Sequence, residues 1–317
     1  MNLQLSASVA FSPGALAVTK MFPDLVWRIA GKILDTLFVV LPSAIVCAIV
    51  LLILSWFSSQ ACNPGRAWWR NPGLFTDACY LLVVPFVAPY MRMSLMLVGA
   101  TLLAGAMTKQ DISDYLEHGR GPLSGLPFWG QVPIYVVASD FMLYWIHRTF
   151  HGRSLWRYHA IHHSATDVDW TTAYRFHPVN LWFGTFLVTA IMFFIGISPI
   201  VILFMVPFDT VTAFFVHANL NWTLGPLRYV IATPVFHRWH HTSPSEGGNA
   251  NFAPLFSAWD VLFGTFYMPA GKIPNHYGVD DPTFPQGFLG QLAYPFRHLF
   301  ELRAGGGNEI ISRPPAP

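Results

Sequence analysis

Ten of the thirteen histidines in this 317-residue chain fall between residues 147 and 241. They form three boxes, His147-Arg-Thr-Phe-His151, His159-Ala-Ile-His162-His163 and His237-Arg-Trp-His240-His241, with His177 and His217 between them. On an α-helix, residues three and four positions apart share a face, so each box can turn its rings toward one point. Imidazole suits zinc, copper, iron and nickel, whereas magnesium and calcium take oxygen ligands. Eight box histidines, or ten with His177 and His217, exceed what one ion can use, and the pattern predicts two metal ions. A lone histidine such as His118, His276 or His298 reads instead as a surface or packing residue.

Other metal chemistries lack their residues. No HExxH is present, so the zinc-protease arrangement with its glutamate base is missing. No ExxH pair is present either, which excludes the carboxylate-rich di-iron site of soluble four-helix bundles. Cys47, Cys62 and Cys79 show no CxxC spacing and read as packing residues. Asp140 stands seven residues before His147, on nearly the same helical face. An acid inside an apolar run is costly, so it is expected to serve the site by accepting a ligand imidazole's second N–H. The alternative is a polar packing residue paired with Tyr144 or nearby backbone.

The ordered series HxxxH, HxxHH, HxxHH resembles the fatty acid hydroxylase/sterol desaturase superfamily of integral-membrane di-iron enzymes. The resemblance runs from about Asp140 to Tyr267. It takes in Asp140-Phe-Met-Leu-Tyr144-Trp-Ile-His147-Arg148, Thr172-Ala-Tyr-Arg175-Phe-His177-Pro178 and Trp259-Asp260-Val-Leu-Phe-Gly264-Thr265. Two positions depart from the family pattern: Asn180 stands where a Glu is common after the His-Pro pair, and Asn251-Phe252-Ala253 replaces Asn-Tyr-Gly. Every box histidine is kept. The resemblance implies two iron ions, with all ten histidines as metal ligands, and hydroxylation or desaturation of a lipid with O2 as co-substrate. It also implies an external electron donor, of ferredoxin or cytochrome b type, because no fused haem domain, cysteine cluster or GxGxxG fingerprint is found. Zinc can replace iron on purification, following the Irving–Williams order.

The elements that must position these residues are apolar. The chain is 53% hydrophobic, 16% aromatic and only 11% charged, with mean hydropathy +0.43, far from the usual quarter of charged residues in soluble domains. A net charge of +2 without a basic run speaks against nucleic acid. The sequence predicts an all-α, polytopic transmembrane bundle of roughly four to six spans, with a cytosolic helical cap carrying the di-metal site.

In chain order, residues 1–32 form an N-terminal segment without a removable signal, and Ile33–Trp56 the first span. Cys79–Met107, broken by Pro85, Pro89 and Arg92, is either one kinked span or two short segments meeting at Arg92. A solvent-facing loop is expected over 108–126 and a further span over Leu126–Ile146, ending at His147. Residues 148–178 are polar, and Arg148, Arg153, Arg157 and Arg175 place them on the cytoplasmic side. Leu181–Phe214 is expected as two short helices turning near Gly196-Ile-Ser-Pro199, which returns His217 to the side that His177 left. Leu289–Leu302 reads as a surface segment, helical on either side of Pro295, and 303–317 as a disordered tail. A single domain is thus expected over 33–302, with its histidine-box core over 140–267. The competing reading is a membrane metal-binding or metal-transport protein without catalysis, which predicts polar residues strung along the spans.

Overall fold

The computed structural model describes residues 45, 46, 49, 50, 53, 68–104, 108–152, 154–243 and 246–303. The chain divides into two units, Met1–Ile45 and Val46–Pro317, and the helical core and the candidate site belong to the second. The expected span Ile33–Trp56 lies outside the described residues except for five helical positions, and the expected tail 303–317 lies outside them beyond Arg303.

The described residues are helical, with no strand among them. Nine α-helices are described: α1 Leu74–Ala104, α2 Lys109–His118, α3 Phe128–Phe150, α4 Trp156–His163, α5 Pro178–Ile195, α6 Pro199–His217, α7 Pro234–His240, α8 Ala258–Leu262 and α9 Phe288–Arg303. Leu74–Gly99, Pro178–Ile195 and Pro199–His217 are long and apolar enough to cross a membrane. They expose Leu97, Phe194, Leu203 and Phe204, side chains suited to a hydrocarbon surround and not to water. This is a membrane protein. The expected span 126–146 forms as α3 but is not one of these three; its buried face carries Gln131, Ser139 and Asp140.

Local signals explain where the helices begin. Ser198 caps α6 by accepting the Ile200 N–H, with Pro199 at the first helical position, where its missing N–H costs nothing. Thr233 and Pro234 do the same for α7. Gly196 adopts φ +89° at the α5–α6 corner, and a Cβ there would lie 2.7 Å from the Gly121 backbone, so the corner requires glycine. Ser198 N–H donates to Gln131 of α3 at 2.7 Å, and its hydroxyl to the carbonyls of Leu116 and Glu117 at the end of α2. The predicted hairpin between His177 and His217 is present.

One expectation differs, and the choice left open for Cys79–Met107 is decided over its described residues. Residues 109–118 are a helix and not loop, because Thr108 and Asp111 form a reciprocal capping box. Residues 74–104 make one continuous helix through Pro85, Pro89 and Arg92, as 288–303 do through Pro295. Long apolar helices tolerate proline when neighbouring helices pack against them. The main core joins α1, α3, α5 and α6 through Met96, Tyr135, Val188, Met192, Phe193, Val201 and Met205.

Candidate metal centre and its cavity

Nine of the ten histidines meet in two groups. His147 and His151 from α3, His159 and His163 from α4 and His240 from α7 form the first; His162, His217, His237 and His241 form the second. Within each group the candidate ligand atoms all lie within 4.8 Å of one another. The groups interleave: α4 sends His159 and His163 one way and His162 the other, while α7 sends His240 to the first group and His237 to the second. His163 and His241 stack across the divide, with ring centroids 4.7 Å apart.

The donor geometry fits metal ions. His147 Nε2 is 3.0 Å from His159 Nε2, and in the second group His217 Nε2 lies 3.3 Å from His162 Nε2 and 3.0 Å from His237 Nε2. Nitrogens about 2.1 Å from one ion sit roughly 3 Å apart in neighbouring coordination positions. The Nε2 atoms of His151, His163 and His240 are buried with no hydrogen-bond partner, a costly state unless a cation takes the lone pair. Burial, followed by the neighbouring imidazoles, holds His151, His162, His163, His237 and His241 well below the ordinary histidine range. Burial does the same to His159 and His240. All seven are therefore neutral at pH 7 and offer lone pairs.

In the first group, protein acceptors orient the rings. The Nδ1–H of His147 donates to the Phe252 carbonyl, that of His240 to the Ala250 carbonyl and that of His159 to Asn180 Oδ1, each at 2.7 Å. Each bond turns Nε2 toward the group and raises its basicity. Asn180, a departure from the family pattern, is thus a functional position that spacing did not reveal. In the second group only His217 has such a bond, to the Ala213 carbonyl at 2.7 Å. The Nδ1 atoms of His162, His237 and His241 are buried without a partner.

His177 is not brought to either group. It caps α5, where its Nδ1 accepts the Val179 N–H at 3.1 Å, and its Nε2 faces the Leu292 carbonyl at 3.3 Å. With Nδ1 committed to a donor and Nε2–H to an acceptor, no lone pair remains for a metal. Asp140 contacts no imidazole. Its carboxylate accepts the N–H groups of Leu255 and Phe256 and the Trp259 indole N–H, at 2.8–3.0 Å. Asp260 accepts the N–H groups of Phe252 and Ala253 and the Thr265 hydroxyl at 2.6–2.9 Å. Burial pushes the Asp260 carboxyl up to about 6, which leaves it mostly ionised at neutral pH. The two acids clamp the 252–259 segment, whose Phe252 carbonyl orients His147. Asp140 therefore acts at one remove from the imidazoles.

Two buried arginines fix the surroundings. Arg175 pairs with Asp77 of α1 and reaches Ser164, the residue after His163, at 3.3 Å. Arg238, between two box histidines, bonds the Val168 carbonyl and Tyr277.

A cavity of about 300 Å³ opens beside the metal centre. His147, His159, His162, His217 and His237 line it, and much of its wall is apolar, including Leu143, Ile146, Leu181, Val188 and Val216. Of the aromatic residues near the boxes, Phe176 lines it and stacks on His162, with centroids 4.3 Å apart and planes at 10°.

The comparisons agree with this architecture. Residues 132–265 match the family model described as fatty acid hydroxylase. This part of the chain is a fatty acid hydroxylase domain. Ornithine lipid hydroxylase OlsE of Rhizobium tropici is 34% identical over 193 residues, covering 60% of this chain and 55% of that protein. Human alkylglycerol monooxygenase is 30% identical over 167 residues, 52% of this chain and 36% of its own length. A Delta(7)-sterol 5(6)-desaturase of Gibberella zeae is 24% identical over 140 residues, 44% of this chain and 38% of that one. All three belong to the fatty acid hydroxylase/sterol desaturase superfamily. The chain spans about half, or less, of the length of these relatives. No solved structure matches the chain.

Proposed function

We propose that this fatty acid hydroxylase domain makes the chain a membrane-bound oxygenase that hydroxylates or desaturates a lipid, using O2, two iron ions and electrons from a ferredoxin or cytochrome b-type protein. The observation that carries the reading is two adjacent groups of neutral imidazoles at the wall of a largely apolar cavity among membrane-length helices. The relatives named for ornithine lipid, alkylglycerol and sterol support a lipid substrate.

When bound, two redox-active ions held by nitrogen ligands supply dioxygen activation and hydrogen abstraction from an unactivated C–H bond. The protein's share is to hold, orient and exclude. His147, His151, His159, His163 and His240 would hold one ion, and His162, His217, His237 and His241 the other. The Phe252 and Ala250 carbonyls and Asn180 keep Nε2 of their partners turned inward. Leu143, Ile146, Phe176 and Val188 exclude water and receive an alkyl chain beside the imidazoles. The boxes are assigned to the cytoplasmic side, in line with the arginines of 148–175.

The test is lipid profiling of cells with and without the gene, alongside His162→Ala. A lipid that has gained an oxygen atom, or lost two hydrogens, only with the wild-type gene is the expected result. Identical profiles in cells expressing folded, metal-loaded protein would end this reading.

A further inference from the structure

The cavity also contains charge that the metal centre does not use. Arg92 of α1, Tyr135 of α3 and Asp209 of α6 line it together. Tyr135 donates its hydroxyl hydrogen to Asp209 Oδ2 at 3.0 Å. Arg92 and Asp209 lie near enough for electrostatic attraction, yet Arg92 makes no hydrogen bond or ion pair with described residues, and its buried Nη1 has no partner. All three sit inside helices, two of which are long and apolar enough to cross a membrane. A guanidinium placed there without an acceptor is expensive, and such residues mark ligand paths.

We infer that the Arg92–Asp209–Tyr135 group binds the polar group of the lipid substrate, and that this polar group carries no net charge while both accepting and donating hydrogen bonds. An acceptor on the lipid satisfies Arg92, and a donor satisfies Asp209. A simple fatty acid offers only an anion, which Asp209 repels; a hydrocarbon offers nothing and leaves Arg92 without a hydrogen-bond acceptor. A zwitterionic amino-acid group and a vicinal diol each supply both partners. Asp209 precedes His217 by eight residues on α6, about 12 Å along the helix axis. A ligand touching both ends must therefore be elongated, as a lipid is. This inference rests on the reading of the cavity as a lipid site.

Binding to the purified full chain in lipid nanodiscs tests it apart from turnover. The probes are a long-chain N-acyl ornithine, a monoalkylglycerol, palmitate and hexadecane, presented to wild type, Arg92→Met and Asp209→Asn. Wild type should retain the first two and reject palmitate and hexadecane. Arg92→Met should weaken binding of the polar lipids about tenfold or more, the size expected for a charge-assisted hydrogen bond, with metal content unchanged. Asp209→Asn should admit palmitate, a gain that mere loss of packing does not produce and that stays readable if Arg92→Met folds poorly. Preference between the ornithine and glycerol probes identifies which of the two polar groups is the ligand. Equal binding of the polar lipids by wild type and Arg92→Met, or continued rejection of palmitate by Asp209→Asn, overturns the inference. If wild type oxidises no lipid yet binds in an Arg92-dependent way, the oxygenase reading falls and the polar-group site stands.

Discussion

At the residue scale, the ring nitrogens separate ligands from bystanders. His162→Ala and His240→Ala should abolish activity, whereas His118→Ala and His276→Ala, at positions outside both groups, should leave it intact; product formation per metal-loaded protein checks this. His177→Ala should leave metal content unchanged and instead lower stability by about 0.5–2 kcal/mol, the usual cost of losing a helix cap. Metal analysis together with a thermal melt separates the two outcomes. Asn180→Leu removes the acceptor that fixes His159, so metal affinity should fall roughly 10–100-fold, measured by chelator competition. The box spacings singled out eight of the nine grouped histidines, because i, i+3 and i, i+4 neighbours share a helical face whatever the tertiary fold, whereas His217 stands outside any box. His177 misled because it is also a histidine near the boxes, but its backbone leaves the helical region at that position, φ −63° and ψ 141°, and the ring turns back to cap. Asn180 carries no metal-ligand signature, and only its distance to His159 identifies it.

At the element scale, residues 252–257, just ahead of α8, are held by acids and not by secondary structure of their own. Asp140→Ala strands three N–H donors, and at about 1–3 kcal/mol for each unsatisfied buried group the variant should melt well below wild type. Asp140→Asn, keeping one acceptor oxygen, should fall between them and retain metal. The acid's position in an apolar run was readable as costly, but its partners, 115 to 119 residues away, were not. Sequence also missed α2, whose polar, glycine-flanked stretch resembles a loop until the Thr108 cap is seen. By contrast the α5–α6 corner was plain, because Gly196, Ser198 and Pro199 each end or start a helix for its own reason. The two metal groups are unequal at this scale. Acceptors fix three rings of the first group, whereas in the second the Ala213 carbonyl fixes His217 alone, so the second ion should leave first during chelator titration. Two-phase metal loss, with the faster phase accelerated by His217→Ala and the slower by Asn180→Leu, is the expected pattern; a single phase in both variants would contradict it.

For the whole molecule, the reading requires two first-row metal ions per chain, countable by elemental analysis of folded protein. One ion, or none, contradicts it. Cysteines introduced near residues 155 and 247 should label from the same side of the membrane, since His159 and His240 share one metal group. Removing the metal should lower the melting temperature, because ligands that bind only the native state stabilise it in proportion to RT ln(1 + [L]/Kd). Helical class and membrane character followed from long apolar runs together with 11% charge, far below the usual quarter of soluble domains. The interleaving of the boxes did not follow, because which way His240 and His241 turn depends on how α7 docks between α4 and α6.

That interleaving has a consequence for biogenesis. Each metal group draws on α4 and on α7 with its capping His241, and the α5–α6 hairpin is made between them. A ribosome that has completed α3 and α4 has made five of the nine grouped histidines, yet neither group is finished until His237, His240 and His241 emerge more than seventy residues later. Completion of either group therefore comes after synthesis of the hairpin, and a chain stopped before Thr233 lacks part of both sites. Under the proposed reading, both ion sites are complete only in a chain that has already made the helices walling the cavity meant to contain their reactivity.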